Sequence, residues 1–145
     1  MEQYQYIICP FLTLILCQII KFIFESIRDK KINLSRFFNG TGGMPSSHTS
    51  FTSSLTVLLG FNLGFDSPIF AVALVFTFII AYDAIGLRFE SGKQAEAINL
   101  INKELGKSKK KGFKLLKEQL GHKPLEVLVG LLLGTITGLL FNIYI

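Results

Sequence analysis

The stretch GGMPSSHT, residues 42–49, places small, polar and titratable residues immediately before a long apolar segment. Pro45 suits the start of a helix, and the two glycines allow a close approach of the backbone. The first turn of a helix carries free N–H groups and the positive end of the helix dipole. Ser46, Ser47 and His48 are therefore predicted to bind an anion there. For the two serines alone, ordinary N-capping is the alternative interpretation.

Apolar segments dominate the rest of the chain, since 50% of its 145 residues are hydrophobic. A membrane-spanning helix needs roughly 20 mostly apolar residues. The long apolar segments are residues 4–24, 49–65, 68–87 and 125–145. The second is shorter and contains Ser and Thr, so we expect the other helices to shelter it. The sequence predicts an all-α membrane bundle of about four transmembrane helices, forming a single domain over residues 1–145.

The basic residues are confined to two connections between the apolar segments. Five lie between Lys21 and Arg36 and ten between Arg88 and Lys123, which together are all 15 Lys and Arg residues. The connection at residues 64–67 and both termini contain none. By the positive-inside rule, both basic connections face the cytoplasm and both termini face outward. We therefore expect an integral, multi-pass protein of the cell membrane.

The second basic connection has a helical periodicity of its own. Its apolar residues recur at helical spacing, opposite a polar set that includes Asn99. The lysines that follow are interleaved with Phe and Leu. This pattern predicts a pair of amphipathic helices on an anionic leaflet, in contact through the segment from Lys103 to Lys117. Nucleic acid is the rival partner, which we do not favour because a membrane already supplies negative charge. The recurring apolar residues are Ala95, Ile98, Ile101 and Leu105.

The two histidines of the chain open two helices that are expected to start on the same membrane face. His122 precedes the last apolar segment, and Glu126 is four residues later, hence on the same helix face. A carboxylate bound to one ring nitrogen fixes the tautomer and leaves the other nitrogen to attack or to accept a proton. One alternative is a pair that only caps and solubilises the helix end. A metal site is another, for which two ligands are too few.

Cations from the other two helix ends are expected to complete a pocket with the histidines. Lys21 lies at the end of the first apolar segment, although a lysine there commonly snorkels to the interface. Arg88 follows the third apolar segment. Asp83, inside that segment, is either a functional group or the partner of Arg88. Four segments that are distant in sequence are thus predicted to converge.

Small residues repeat at every fourth position from each histidine. This spacing favours close helix packing in lipid and turns both histidines toward other helices. The glycine series is also a possible contact for a homodimer. The residues are Thr52, Thr56 and Gly60 after His48, and Gly130, Gly134 and Gly138 after Glu126.

Three ordered motifs resemble the divergent branch of the type 2 phosphatidic acid phosphatase superfamily, a branch described as acid phosphatase and vanadium-dependent haloperoxidase related. They are GGMPSSHT at 42–49, YDAIGLR at 82–88 with SGKQA at 91–95, and LGHKPLEV at 120–127. The resemblance extends over residues 21–134.

The superfamily signatures are retained only in part. Lys21 and Arg28 keep the spacing of the first signature, with an aspartate where its proline stands. Ser47 replaces the glycine of the second signature, and Glu126 replaces the aspartate of the third. The Ser-Arg pair of the third signature is replaced by two leucines at 115–116.

The resemblance implies a role for each matching residue. His122 would be the nucleophile that forms a phosphohistidine, Glu126 would orient it, and His48 would be the general acid. Phosphoryl oxygens would be bound by Lys21, Arg28, Ser46 and Ser47. We infer that Arg88 replaces the missing arginine of the third signature, with Arg36 as a spare candidate and Asp83 in support.

The implied activity is hydrolysis of a phosphate or pyrophosphate monoester, lipid-linked, without a metal or cofactor. Phosphoryl transfer depends mainly on positioning and on neutralisation of the equatorial oxygens, which helix N-termini and cations provide. The alternative is a non-catalytic membrane protein of the same fold that binds lipid headgroups or acts in lipid transport or assembly. The loss of the Ser-Arg pair favours that alternative.

Overall fold

The computed structural model describes residues 4–30, 43–106, 114–118 and 120–144. Every regular element within these residues is a helix, which confirms the predicted all-α class. The helices are α1 (Gln5–Asp29), α2 (Ser47–Leu63), α3 (Pro68–Ile85), α4 (Leu87–Glu104) and α5 (Pro124–Tyr144).

Three helical stretches in the described part of the chain are long and apolar enough to cross a membrane: Gln5–Arg28, Pro68–Glu104 and Pro124–Tyr144. The 17 residues of α2 give a helix of about 26 Å, shorter than the roughly 30 Å hydrocarbon core. α2 packs against α1, α3 and α5. The second predicted segment is therefore a helix sheltered by the others, as its length and polarity predict.

Small polar side chains give α2 its buried surface. The hydroxyl of Thr52 donates to the carbonyl of His48 at 3.1 Å, and that of Thr56 donates to the carbonyl of Thr52 at 2.9 Å. Because these hydroxyls are bonded within the helix, they can be buried without leaving polar atoms unpaired.

The glycines of α5 lie directly on α2. A methyl group at Gly130 would overlap Ser46, one at Gly134 would overlap Ser50, and one at Gly138 would press on the 54–57 turn. Residue numbers rise together along the contact, so the two helices run parallel and their first turns lie side by side. The glycine series thus packs within the chain, and a homodimer would have to use another surface.

α1 and α3 run antiparallel to α2. Near its start, the carbonyl of Pro45 accepts a hydrogen bond from the Cys17 thiol at 3.6 Å. Further along, the rings of Phe11 and Phe51 are 5.4 Å apart. On the other side, the hydroxyls of Thr56 and Thr77 are 2.9 Å apart. The C-terminal ends of α1 and α3 therefore meet the first turns of α2 and α5.

Within its described residues, the second basic connection is helical only in α4. α4 confirms the helix expected from the apolar spacing. Residues 114–118 are not helical, so the predicted second amphipathic helix is wrong for this part. The backbone N–H and carbonyl of Leu116 bond instead to the side chain of Asn99 in α4. Residues 107–113 and Arg36 lie outside the described residues.

Candidate active site

The candidate site lies at the end of the bundle where α2 and α5 begin. His122 is only 3% exposed. It lies two residues before Pro124, the first residue of α5, rather than on the helix as predicted. Its Nδ1 is nevertheless 3.1 Å from Oε2 of Glu126. The same carboxylate oxygen accepts the backbone N–H of Lys123 at 3.1 Å. Glu126 therefore holds the imidazole from the first turn of α5, where the helix dipole favours a carboxylate.

The surroundings of His122 favour its neutral form. Burial lowers the pKa of His122 most strongly, and the positive charge of Lys21 lowers it further. Hydrogen bonds to Glu126 and to the backbone of Gly43 raise the pKa, but the net direction is downward from the ordinary 6.5. With Nδ1–H donated to Glu126, the lone pair of the neutral ring is on Nε2.

Two backbone hydrogen bonds fix the chain on either side of this pair. The N–H of His122 donates to the carbonyl of Ala84 at 3.1 Å. Because α3 ends at Ile85, that carbonyl belongs to the last turn, which has free acceptors. The N–H of Ser46 donates to the carbonyl of Glu126 at 3.0 Å. The start of α5 is thus bonded to both α2 and α3.

The segment that precedes His122, residues 114–118 with 120–121, lies along α4; we call it the strap. Asn99 binds it through both ends of its amide. Nδ2 of Asn99 donates to the carbonyl of Leu116 at 2.9 Å, and Oδ1 accepts the N–H of Leu116 at 3.0 Å. Nδ2 also donates to Glu118 at 2.9 Å. These bonds satisfy backbone groups that a helix would otherwise satisfy, which accounts for the extended strap.

Two glycines allow the strap to approach α4 closely. A methyl group on Gly121 would overlap the backbone of Phe89, and one on Gly92 would overlap the carbonyl of Glu118. The sequence patterns do not identify Gly92, Gly121 and Asn99 as residues that position the strap. For the two glycines, the one indication in the sequence is that they lie inside the motifs SGKQA at 91–95 and LGHKPLEV at 120–127. Asn99 was assigned to the polar side of α4, whereas the structure buries it.

Lys21 is buried at the same end of the bundle rather than snorkelling outward. It is 3% exposed, and its Nζ has no hydrogen-bond partner in the described part of the chain. Its electrostatic neighbours include Glu25 and Glu126. Ser46, the N-cap residue of α2, makes no capping hydrogen bond and its buried Oγ is also unpaired among these residues. The N-capping interpretation therefore fails for Ser46, and both groups are available to a ligand.

His48 and Arg88 lie at the outer side of the site. His48 is exposed in the first turn of α2, and its electrostatic neighbours include Arg88, His122 and Lys21. Arg88, in the first turn of α4, donates from Nε to the carboxylate of Asp83. Of the two interpretations of Asp83, a functional group or the partner of Arg88, the structure therefore shows the second. The arginine reaches the neighbourhood of His48 from the α3–α4 junction.

A polar cavity of about 380 Å³ adjoins the pair of His122 and Glu126. Arg28, in the last turn of α1, lines it together with Lys123 and Glu126. Ser47 is buried in the first turn of α2. The structure therefore brings together all of the sequence-predicted site residues that it describes, with Arg28 on the cavity side.

Comparisons with known proteins show the family of the chain. The sequence model of a family described as "Divergent PAP2 family" matches residues 3–137. The chain is 37% identical over 132 residues to the membrane protein YuiD of Bacillus subtilis (strain 168), covering 83% of each chain. No solved structure matches.

Proposed function

Because the chain belongs to the divergent PAP2 family, we propose that it is an integral membrane phosphatase that works through a phosphohistidine. Its substrate is a phosphate or pyrophosphate monoester carried on a lipid. The site faces the cytoplasm, since all 15 Lys and Arg residues fall between Lys21 and Arg36 or between Arg88 and Lys123. These are the two parts of the chain that join helices at this end of the bundle.

One observation carries the proposal: a buried histidine has a carboxylate on one ring nitrogen and, nearby, a buried ammonium that has no hydrogen-bond partner among the described residues. His122 contacts Glu126 at 3.1 Å, and Lys21 is its cationic neighbour. An ammonium buried without a hydrogen bond is costly unless a ligand pairs with it. Simple anion binding requires the cation but not a nucleophile with its own orienting carboxylate.

The proposed reaction has two chemical steps. Nε2 of His122 attacks phosphorus, so that a P–N bond forms as the bond to the leaving oxygen breaks. His48 gives its proton to that oxygen and becomes neutral. Water then attacks phosphorus, the P–N bond breaks, and His48 takes up the proton of the water. Glu126 stabilises the positive charge that develops on the ring of His122.

The remaining residues neutralise the phosphoryl oxygens. Lys21 and the Oγ of Ser46 are buried and unpaired among the described residues, and the first turn of α2 supplies free N–H groups. Arg88 approaches from the side of His48 and Arg28 from the cavity. These groups act on charge that increases in the transition state, which is the main requirement of phosphoryl transfer.

A second function has its own support. Arg88 is paired with Asp83, and leucines that are exposed on the strap occupy the positions of the Ser-Arg pair. A site so modified is compatible with a protein that binds lipid headgroups without hydrolysing them. Such a protein would keep its affinity for lipid phosphates in His122→Ala and lose it in Arg28→Ala or Arg88→Ala.

The deciding experiment measures phosphate release by the purified protein from lipid phosphates, polyprenyl phosphates and nucleotides. We expect vanadate-sensitive release that His122→Ala and His48→Ala abolish. Asp66→Asn, in the connection at the opposite end of the bundle, is the matched control and should keep full activity. Release no greater than that of His122→Ala for every substrate would refute the enzymatic proposal.

The leaving group separates the two histidines. With p-nitrophenyl phosphate, whose leaving group needs no proton, His48→Ala should recover most of its first-step rate while His122→Ala should not. The enzyme is mixed with a substrate that carries a labelled phosphoryl group, and the reaction is quenched rapidly without acid. Labelled phosphohistidine should be trapped in the wild type and be absent from His122→Ala. Equal loss in both variants on both substrate types would contradict the assigned roles.

A further inference from the structure

We propose that the uncovered apolar side of α4 docks on an anionic lipid surface. This interaction surface is separate from the hydrolytic site and does not depend on the proposed phosphatase activity.

The protein covers only one side of α4. The buried residues Gly92, Ala95 and Asn99 are on that side, where the strap bonds. Of the four residues that the sequence identified as an apolar series, Ala95 alone is buried. Ile98, Ile101 and Leu105 are all exposed. An amphipathic helix that its own chain leaves uncovered on the apolar side needs another apolar surface.

The other exposed side of α4 is polar and faces the cavity. Lys93 and Glu96 line that cavity, and Lys93 pairs with Glu90 at 2.9 Å. Leu100 falls on this side, since it is four residues after Glu96 and three before Lys103. α4 therefore has opposite polar and apolar sides, the arrangement of a helix that lies in the plane of an interface.

The position of α4 along the chain places it at the membrane boundary. The continuous stretch Pro68–Glu104 has 37 residues, about 55 Å if it were straight, which far exceeds the roughly 30 Å core. The helix is interrupted at Gly86, whose ψ of −95° departs from the helical value near −42°. α3 fills the apolar core, and α4 begins where the core ends.

The sequence at the end of α4 and after it is strongly basic, and this charge favours anionic lipids. The segment from Lys103 to Lys117 contains seven lysines and a single acidic residue, Glu104. Lysines next to an inserted apolar face bind the headgroups of anionic lipids, and zwitterionic lipids offer no net charge to them. Together these features identify the occupant as an anionic leaflet.

The absence of tryptophan from the chain permits a direct test with single-tryptophan variants. Ile101→Trp probes the apolar side and Leu100→Trp is the matched control, because the two native side chains are 55% and 54% exposed. The full-length protein is placed in vesicles of phosphatidylglycerol or phosphatidylcholine that carry bromine near the headgroup end of the acyl chains. Circular dichroism and thermal unfolding confirm that each variant is folded like the wild type.

In phosphatidylglycerol we expect the fluorescence of Ile101→Trp to be blue-shifted, and to be quenched several-fold more strongly than that of Leu100→Trp. The difference should shrink in phosphatidylcholine and after Lys→Gln changes at 109, 110 and 111. Equal quenching at both positions, or quenching that ignores lipid charge, would overturn the proposal. A nucleic acid that shifts the fluorescence emission of Ile101→Trp and competes with the vesicles would also overturn the proposal. Because no step measures hydrolysis, failure here leaves the phosphatase proposal standing, and the reverse also holds.

Discussion

At the scale of single residues, the state of His122 is decided by opposing effects on one ring. Burial and the charge of Lys21 lower its pKa, whereas Glu126 and the backbone of Gly43 raise it less. The folded state therefore binds a proton on His122 less readily than the unfolded chain does. The associated stability is fully present above pH about 6.5 and is lost as the pH falls toward the lowered pKa.

The lowered pKa of His122 also predicts how hydrolysis depends on pH. Protonated His122 has no lone pair for attack, so the rate should fall on the acid side with a midpoint below 6.5, the ordinary histidine value. Glu126→Gln removes a group that raises the pKa, so the midpoint should move still lower. The maximal rate should fall about 10²–10⁴-fold as the ring loses its orienting carboxylate. Rate profiles between pH 4 and 8 measure both effects, and a midpoint that moves upward would contradict this account.

Lys21 combines a functional role with a cost in stability. Its ammonium is buried without a hydrogen bond among the described residues, so Lys21→Met should stabilise the ligand-free protein by about 1–3 kcal/mol. The same change should abolish the stabilisation that vanadate gives. Thermal unfolding in detergent with and without vanadate measures both.

The exposed Lys103 provides the comparison for Lys21, since Lys103→Met should leave the vanadate effect unchanged. If Lys21→Met lowers stability and vanadate still protects the variant, Lys21 holds the structure together and does not bind the anion.

At the scale of elements, the strap connects α4 with His122. Asn99 satisfies both backbone groups of Leu116, and Gly121, next to His122, lies against the first turn of α4. α4 is therefore a support for the site as well as a surface helix. The sequence predicts only an amphipathic helix here. One side of α4 bonds to the strap, and we propose that a second side docks on lipid.

Asn99→Ala tests this support. The backbone N–H and carbonyl of Leu116 would lose their bonds to the Asn99 amide, which should cost about 0.5–1.5 kcal/mol for each bond. The turnover number should fall more than the KM changes, because His122 is displaced while Lys21 and the first turn of α2 stay in place. Asn102→Ala, on the same helix, is the control for a lost amide. Steady-state kinetics together with thermal unfolding give the answer, and a rise in KM alone would exclude a role in positioning.

At the scale of the whole molecule, helix direction places every site residue at one end. α2 and α5 run parallel, and α1 runs antiparallel to them, so Lys21, His48 and His122 share one face of the bundle. The basic connections lie at this end and the termini at the other. With the positive-inside rule, this fixes the orientation we propose.

Reporter fusions test that orientation. A fusion after Ile145 should report outside, and one inserted between Lys107 and Lys111 should report inside. A cytoplasmic signal at Ile145 would reverse the orientation, although the site residues would remain on a common face.

The sequence alone determined the helical class, the membrane segments, the family and the pairing of His122 with Glu126. These features depend on composition, on helical periodicity and on residues close together in the chain, all of which a single sequence records. Even the sheltered position of α2 was visible, because serines and threonines interrupt its apolar pattern.

Only the tertiary structure decided the burial of Lys21, the extended strap and the positioning roles of Gly92, Gly121 and Asn99. Lys21 has the same local pattern whether it snorkels or is buried, and packing by α2 and α5 makes the difference. The strap has a helical pattern of lysines and leucines, yet Asn99, 17 residues away from Leu116, takes its backbone bonds. Such outcomes depend on which distant groups compete for a backbone atom or a volume, and local periodicity contains no information about that competition.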